Sequence, residues 1–290
     1  MSEVYPAVEV LVRDHHFSVA HICQTLELSR SAYYHWLTHE TSSREEEDTH
    51  LATSIRTTFW KHKRRYGTRR LREELADQGT PCGRRRIAKL LNNQGLRAIQ
   101  PKSFVPKTTD SRHTLGYSPN LLLKEPEPTT INQLWVGDIT YIPLRSGAFC
   151  YLATLMDRFS RRIVGWDLEN TMNEDLVLPV LHRAIRERQA LPGLIHHTDR
   201  GGQYAGHRYR AVLARAAFRQ SMSRPDNCYD NAFMESCFGT LKTELEMTEY
   251  DHQRAAYRTI GDYIAYYNLE RKHSALGYLS PHQFETRLAR

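Results

Sequence analysis

The chain has 290 residues, with 40 Lys or Arg against 33 Asp or Glu and a net charge of +7, which is length enough for two domains and at least one full core. No apolar run approaches the roughly 20 residues of a membrane span, and Met1 to Pro6 lacks the basic-then-apolar pattern of a secretory signal, so a cytoplasmic protein without a membrane partner is expected. The five cysteines are scattered without a Cys-x-x-Cys pair, which argues against a disulfide framework or a zinc knuckle.

The charge is unevenly spread. Residues 1–55 hold 3 basic and 9 acidic side chains, whereas residues 56–112 hold 16 basic and 4 acidic, a net of +12. That density suits phosphate neutralisation, the plain alternative being a solvated helical face.

In chain order, Ser18 predicts a cap for a helix through Leu26, and Ser29 a cap for a second through Trp36. Helix, short turn, helix reads as a first helix-turn-helix, residues 1–45. The acidic run Glu45 to Asp48 opens the next helix, which continues through Phe59 and Trp60 into Lys61 to Arg65. Thr68 is expected to cap a helix carrying Leu71 and Leu75. After Gly79-Thr80-Pro81 another helix runs from about Arg84 to Asn93, with Ile87, Leu90 and Leu91 on its apolar face. These form a second, basic helix-turn-helix, residues 46–100. Arg84, Arg85, Arg86 and Lys89 stand at the start of its second helix, the part that meets base edges and phosphates in such motifs. Arg69 and Arg70, in the same basic block, complete the DNA-binding candidates. The first unit is acidic overall and suits a protein contact or a structural role as well as DNA binding.

Residues 101–130, rich in Pro, Thr, Ser and Lys, read as a linker. From 131 to 249 the pattern is α/β. Strands are expected at 135–143, 149–156 and 162–168, joined by short connections that imply antiparallel hairpins. A helix follows from Asn173 or Glu174, ending before Leu191. Then come a short strand at 194–198, a helix at 207–216, a strand at 218–222 and a helix from about Ala232 to Glu249. Residues 250–290 read as a C-terminal helical tail.

Three acids stand out within this part. Asp138 lies mid-strand, where an unpaired carboxylate costs several kcal/mol to bury and so needs a metal, a partner or a water-filled cleft. Asp199 ends its strand just before Gly201-Gly202, at the sheet edge where ligands collect in open α/β folds. Glu235 sits one position off the stripe Met234, Phe238, Leu241 and Leu245. Lys242, seven residues on, returns to within about 20° of Glu235 on the same helix side. Thirty-five residues separate Asp199 from Glu235, a spacing that chance supplies readily in a chain with 33 Asp or Glu residues. The surrounding blocks, His197 to Tyr204 and Asn227 to Ser236, carry the weight.

Three carboxylates suit hard divalent cations, and two such ions can stabilise the attacking and leaving oxygens of a phosphoryl transfer. Other groups read more plainly. His196 and His197 point to opposite strand faces and cannot share one site. Asp157, Asp167 and Asp175 fall at element ends, Asp226 and Asp230 in a turn-rich loop. Gly239 either admits a close backbone or is a tolerated helix glycine.

Ser29 to Tyr34, Tyr66 to Leu71, the Trp135 block, the Asp199 block, Asn227 to Glu244, and Tyr267 to Pro281 together resemble the DDE transposases of bacterial insertion sequences. The match is specifically to the second-frame product (OrfB) of the insertion-sequence-three family, related to retroviral integrases. The resemblance spans nearly the whole chain. It implies an RNase H-like α/β catalytic core, a mixed five-stranded sheet with helices, preceded by the all-α helix-turn-helix region. Within it Asp138, Asp199 and Glu235 are the catalytic residues and the ligands of two Mg²⁺ ions, with Mn²⁺ as a substitute, and Lys242 contacts terminal DNA. The implied reaction is metal-dependent. Water frees a 3′-hydroxyl at the element end, and that hydroxyl attacks another phosphodiester, through a circularised element and without a covalent enzyme intermediate. The implied partners are double-stranded DNA, as terminal inverted repeats and target, a second copy of the chain on DNA, and an upstream-frame protein. The implied location is the bacterial cytoplasm, at the nucleoid when DNA-bound. The alternatives are a catalytically silent DNA-binding regulator of transposition and a ribonuclease H, the latter having no need of the basic N-terminal region.

Overall fold

The structure is a computed structural model that describes residues 4–38, 42–101, 116–224, 231–246 and 248–288. Residues 102–115 of the expected linker and the Asp226 and Asp230 turn lie outside the described residues.

The first unit holds three helices, α1 (Val4–His15), α2 (Val19–Thr25) and α3 (Arg30–Leu37), around Tyr5, Val8, Ile22, Cys23 and Tyr33. The hydroxyls of Ser18 and Ser29 cap α2 and α3, accepting from the amides of His21 and Ala32. The sequence reading assigned no helix to residues 4–15, where no side-chain cap announces one. The second unit comprises α4 (Ser43–Lys61), α5 (Thr68–Asp77) and α6 (Arg84–Asn93). A capping box opens α4, the Ser42 hydroxyl and the Glu45 carboxylate each accepting the other's backbone amide. Gly67, not Thr68, is the N-cap of α5, so the Thr68 hydroxyl makes no cap. Leu51, Ile55, Phe59, Leu71, Leu75, Ile87, Leu90 and Leu91 fuse the three helices into one core.

The larger body is a five-stranded sheet in the order β3-β2-β1-β4-β5. Its strands are β1 (Leu134–Pro143), β2 (Phe149–Asp157), β3 (Ile163–Glu169), β4 (Ile195–Thr198) and β5 (Arg219–Met222). The first three are antiparallel neighbours, and β4 and β5 add in parallel, so the sheet is mixed. Helices α7 (Glu174–Arg188), α8 (Gly202–Ala205) and α9 (His207–Arg215) cover one face, and α10 (Ala232–Glu244) with α11 (Gln253–Leu269) covers the other. Helix α12 (Pro281–Leu288) closes the described chain beside α11. At Gly165 a β-carbon would stand 2.8 Å from the Val180 carbonyl oxygen, so this glycine lets α7 lie close on β3.

Alternation along β1 sorts its side chains between the two faces. Leu134, Val136 and Ile142 join the core under α10 and α11, while Trp135 joins the core under α7 and α9. The apolar stripe of α10 seats Met234, Phe238 and Leu241 in the first of these cores, each worth about 1.5–3 kcal/mol when fully buried. The helix stops at Glu244, five residues short of the expected Glu249. Residues 253–269, read from sequence as tail, supply Ala256, Ile260, Tyr263, Ile264 and Tyr267 to that same core.

Candidate active site

Asp138 is an even-numbered residue of β1 and therefore faces α10. The parallel β1–β4 register pairs Leu134 with Ile195 and Val136 with His197. Two residues further on, that register sets Asp199 opposite Asp138 on the same face. Asp199 has by then left the strand. Its Oδ1 accepts from the Gly201 amide at 3.0 Å, turning the chain at the sheet's edge. Asp138 Oδ1 accepts from the Ile139 amide at 2.8 Å. On the opposite face, a β-carbon on Gly137 would meet the end of the Leu155 side chain at 2.8 Å and those of His196 and Thr198 at 3.3 Å. A larger residue here would make Leu155 shift.

The third acid comes from the helix. Asn231, the N-cap residue of α10, donates through Nδ2 to the Gly137 carbonyl at 3.4 Å and so ties the start of α10 to β1. Glu235 lies in the first turn, one position past buried Met234, and is exposed. Lys242 is half-buried one position past Leu241.

These groups sense one another electrically. Burial, then Asp199, then Glu235 push the Asp138 carboxyl well above the usual carboxylate range, while the Ile139 amide and Lys242 pull it down. Burial lowers the Lys242 ammonium, and Asp138 opposes this. Among the described residues no three His, Cys, Asp or Glu side chains stand close enough to hold an ion together. An exposed third acid beside two others of like charge is what electrostatics dictates.

The histidines beside Asp199 are internal. His196 meets the Tyr209 hydroxyl at 2.6 Å on one face, and His197 meets Ser221 and Ser223 at 2.8 and 3.2 Å. Asp157 organises the β2–β3 turn by accepting from the amides of Asn132, Phe159 and Ser160. Asp175 pairs with Arg208 at 2.8 Å, and Asp167 with Arg183 at 3.9 Å. A β-carbon on Gly239 would meet nothing within 4 Å, so no backbone approaches there.

The basic candidates divide. Arg84, Arg85, Lys89 and Arg69 are exposed. Arg86 turns back onto α4, its Nε 2.5 Å from Asp48 and its Nη2 3.1 Å from Glu47. Arg70 points into the protein, donating to the carbonyls of Lys272 and Arg65 at 3.0 and 3.3 Å.

Arg70 leads to residues that the sequence reading missed. Buried Glu244, at the end of α10, accepts from Arg271 Nε and Nη2 at 3.0 and 2.8 Å, from the Tyr263 hydroxyl at 3.1 Å and from Arg70 Nη1 at 3.5 Å. The next residue, Lys272, pairs with Asp77 and Glu74 on α5. Its backbone amide donates to the Tyr66 hydroxyl at 2.8 Å. Arg271 and Lys272 therefore bridge α10 to the basic helical unit. A signal was available. Position 244 continues the stripe 234, 238, 241, and a Glu on an apolar helix face announces a buried partner.

Comparison with known proteins fits this architecture. Two integrase core domain families match residues 128–228 and 216–281, and an HTH-like domain family matches residues 45–104, the α4–α6 unit. The class is thus an integrase-type polynucleotidyl transferase behind an HTH-like region. The "Insertion element IS600 uncharacterized 31 kDa protein" of Shigella sonnei is 41% identical over 265 residues, covering 91% of this chain and 97% of that one. The "Transposase InsF for insertion sequence IS3A" of Escherichia coli (strain K12) is 39% identical over 275 residues, covering 93% and 95%. Among solved structures, the HTLV-2 integrase catalytic core in complex with magnesium aligns at TM-score 0.44 and 16% identity, over 54% of this chain and 98% of that one. The chain belongs to the IS3 family of insertion-sequence transposases. Transposition of DNA through an RNase H-like integrase core is its function, and a silent regulatory role is not favoured. Among the described residues no helix is long and apolar enough to cross a membrane.

Proposed function

We propose that Asp138, Asp199 and Glu235 are the catalytic carboxylates of this transposase, that they hold two Mg²⁺ ions, and that Lys242 contacts the terminal DNA. The observation that carries this is the Asp138 carboxyl, raised by burial and by both other acids, with Lys242 as the opposing cation. Crowded like charges in a cleft mark a site that a cation relieves. The donor set is all oxygen, which fits Mg²⁺ and also admits Mn²⁺. When bound, the ions polarise the phosphodiester and stabilise the entering and leaving oxygens. The chain's own part is positioning. β1 and the end of β4 fix Asp138 and Asp199 side by side, and α10 carries Glu235 and Lys242 along one edge.

In end cleavage, water attacks the phosphodiester at the element end and the P–O3′ bond breaks, leaving a 3′-hydroxyl. In strand transfer that hydroxyl attacks a second phosphodiester and its proton leaves to solvent. One phosphodiester forms as one breaks, so no nucleotide cofactor is needed. Exposed Arg84, Arg85 and Lys89 on α6, with Arg69, contact DNA in this reading, whereas Arg70 and Arg86 serve the fold. Joining two ends calls for a second copy on the DNA, and an upstream-frame protein is a further partner.

Protein, Mg²⁺ and a duplex carrying one end of the element should give cleaved or joined products, and chelation should stop the reaction. D199N should abolish these products while DNA binding persists. Products made at wild-type rate by D199N would overturn the assignment.

A further inference from the structure

The β2–β3 turn holds two guanidinium groups, of which Arg158 alone has an acidic partner among the described residues. Arg158 and Arg161 both lie over the ring of Phe233, with their Cζ atoms 3.1 and 4.0 Å from its centroid. Phe233 is in the first turn of α10, two residues before Glu235. That partner is Glu127, whose two carboxylate oxygens stand 2.9 and 3.1 Å from Arg158 Nη2, the Glu127 side chain being 77% exposed and that of Arg158 16%. Arg161 makes no ion pair and no side-chain hydrogen bond among the described residues.

Both cations sit where burial is costly. Desolvation brings the Arg158 guanidinium down to about 10 and lowers that of Arg161 as well. Their neighbourhood is positive. After burial itself, Arg271, Arg70 and Arg161 hold the His273 imidazole down at about 2. Arg161 also sits in the left-handed backbone region, at φ 61°, which costs a side chain other than glycine about 1–2 kcal/mol. A glycine or asparagine would make this turn at lower cost.

Stacking on a ring uses the face of a guanidinium and leaves its in-plane N–H donors free. The half-buried Arg161 fork, with no acceptor among the described residues, and the Arg158 donors that Glu127 does not take suit the oxygens of a phosphate. Resting on the proposed catalytic reading, and going beyond it, we infer that Arg158 and Arg161, held over Phe233, bind a phosphodiester of the element-end DNA that the acids act on. Phe233 and Glu235 leave α10 about 200° apart, so the phosphate held there is one that flanks the acids and not the one that reacts.

The test uses the full chain in metal-free buffer, so that no cleavage occurs, and a duplex carrying one end of the element. Binding is read by fluorescence anisotropy across a KCl series. R161N, whose new side chain tolerates the left-handed backbone, should bind more weakly, with the slope of log affinity against log salt reduced by about 0.9; R158A/R161N should lose about twice that. The R161N melting temperature should hold or rise. R161Q, which keeps the aliphatic stem, gives the same reading should R161N fold poorly. Wild-type affinity and slope in the folded R161 variant would overturn the inference. D138N that still cleaves would instead sink the acid assignment and leave this binding result standing.

Discussion

Asp138 and Glu244 lie on the same side of the sheet, and their surroundings are opposite. Glu244 is enclosed by donors from Arg271, Tyr263 and Arg70, which come from three parts of the chain. Asp138 accepts from its neighbour's amide and is crowded by Asp199 and Glu235, two more acids, with Lys242 opposing them. A satisfied buried carboxylate holds architecture, whereas one crowded by its own charge type marks where chemistry is done. Glu235 and Glu244 sit near opposite ends of α10, and Glu244 anchors its C-terminal end.

The largest expected effect separates the two acids by function. D138N should reduce end cleavage and strand transfer to about one-thousandth of wild type or less, yet raise the thermal midpoint of the metal-free protein, since it removes a half-buried charge crowded by two like ones. A lower midpoint would break the contrast. E244A should act the other way, costing about 3–5 kcal/mol in urea unfolding because Arg271 is left buried without its partner. A loss under about 1 kcal/mol would show that the bridge is decorative.

Acid should sharpen the same contrast. Burial holds His196 down to about 4, and burial with Arg271, Arg70 and Arg161 holds His273 down to about 2. Both stay neutral in the fold, while the unfolded chain takes up their protons below about 6.5. The stability tied to their neutral forms is therefore complete above about 6.5 and falls as pH drops, by up to about 1.4 kcal/mol per pH unit for each histidine. The fall ends near 4 for His196 and near 2 for His273. Asp138 opposes this, because its raised pKa lets the fold bind a proton before the unfolded chain does. D138N should then lose stability more steeply in acid than wild type, as read by denaturation midpoints from about pH 7 to about pH 4.5.

The smallest effects lie on α6. Neutralising Arg84, Arg85 or Lys89 should reduce the salt slope of DNA binding by about 0.9 for each phosphate that then goes unneutralised. R86A should leave that slope alone and lower the urea midpoint only slightly, since Arg86 is bound to Glu47 and Asp48 at the surface. A slope change in R86A would return this residue to the DNA-binding group.

Much of the fold was legible because its signals are local. The Ser18 and Ser29 caps act within three residues, the Ile87, Leu90 and Leu91 stripe set α6 at the expected Arg84–Asn93, and the short turns after β1 and β2 required antiparallel hairpins. The stripe of α10 likewise placed Glu235 and Lys242 on one edge of a helix. Where no local signal existed the reading failed, as at α1, or erred by a position, as at the Thr68 cap.

By itself, then, the sequence determined the family, the order of the elements and which strand, strand end or helix carries each acid, since periodicity and capping are properties of neighbouring residues. Only the tertiary structure decided the register that sets Asp199 beside Asp138, the inward turn of Arg70 and Arg86, and the closure of Arg271 on Glu244. Those pairings depend on backbone brought together across 27 to 174 residues of chain, and no local pattern encodes which of many arginines and carboxylates will meet.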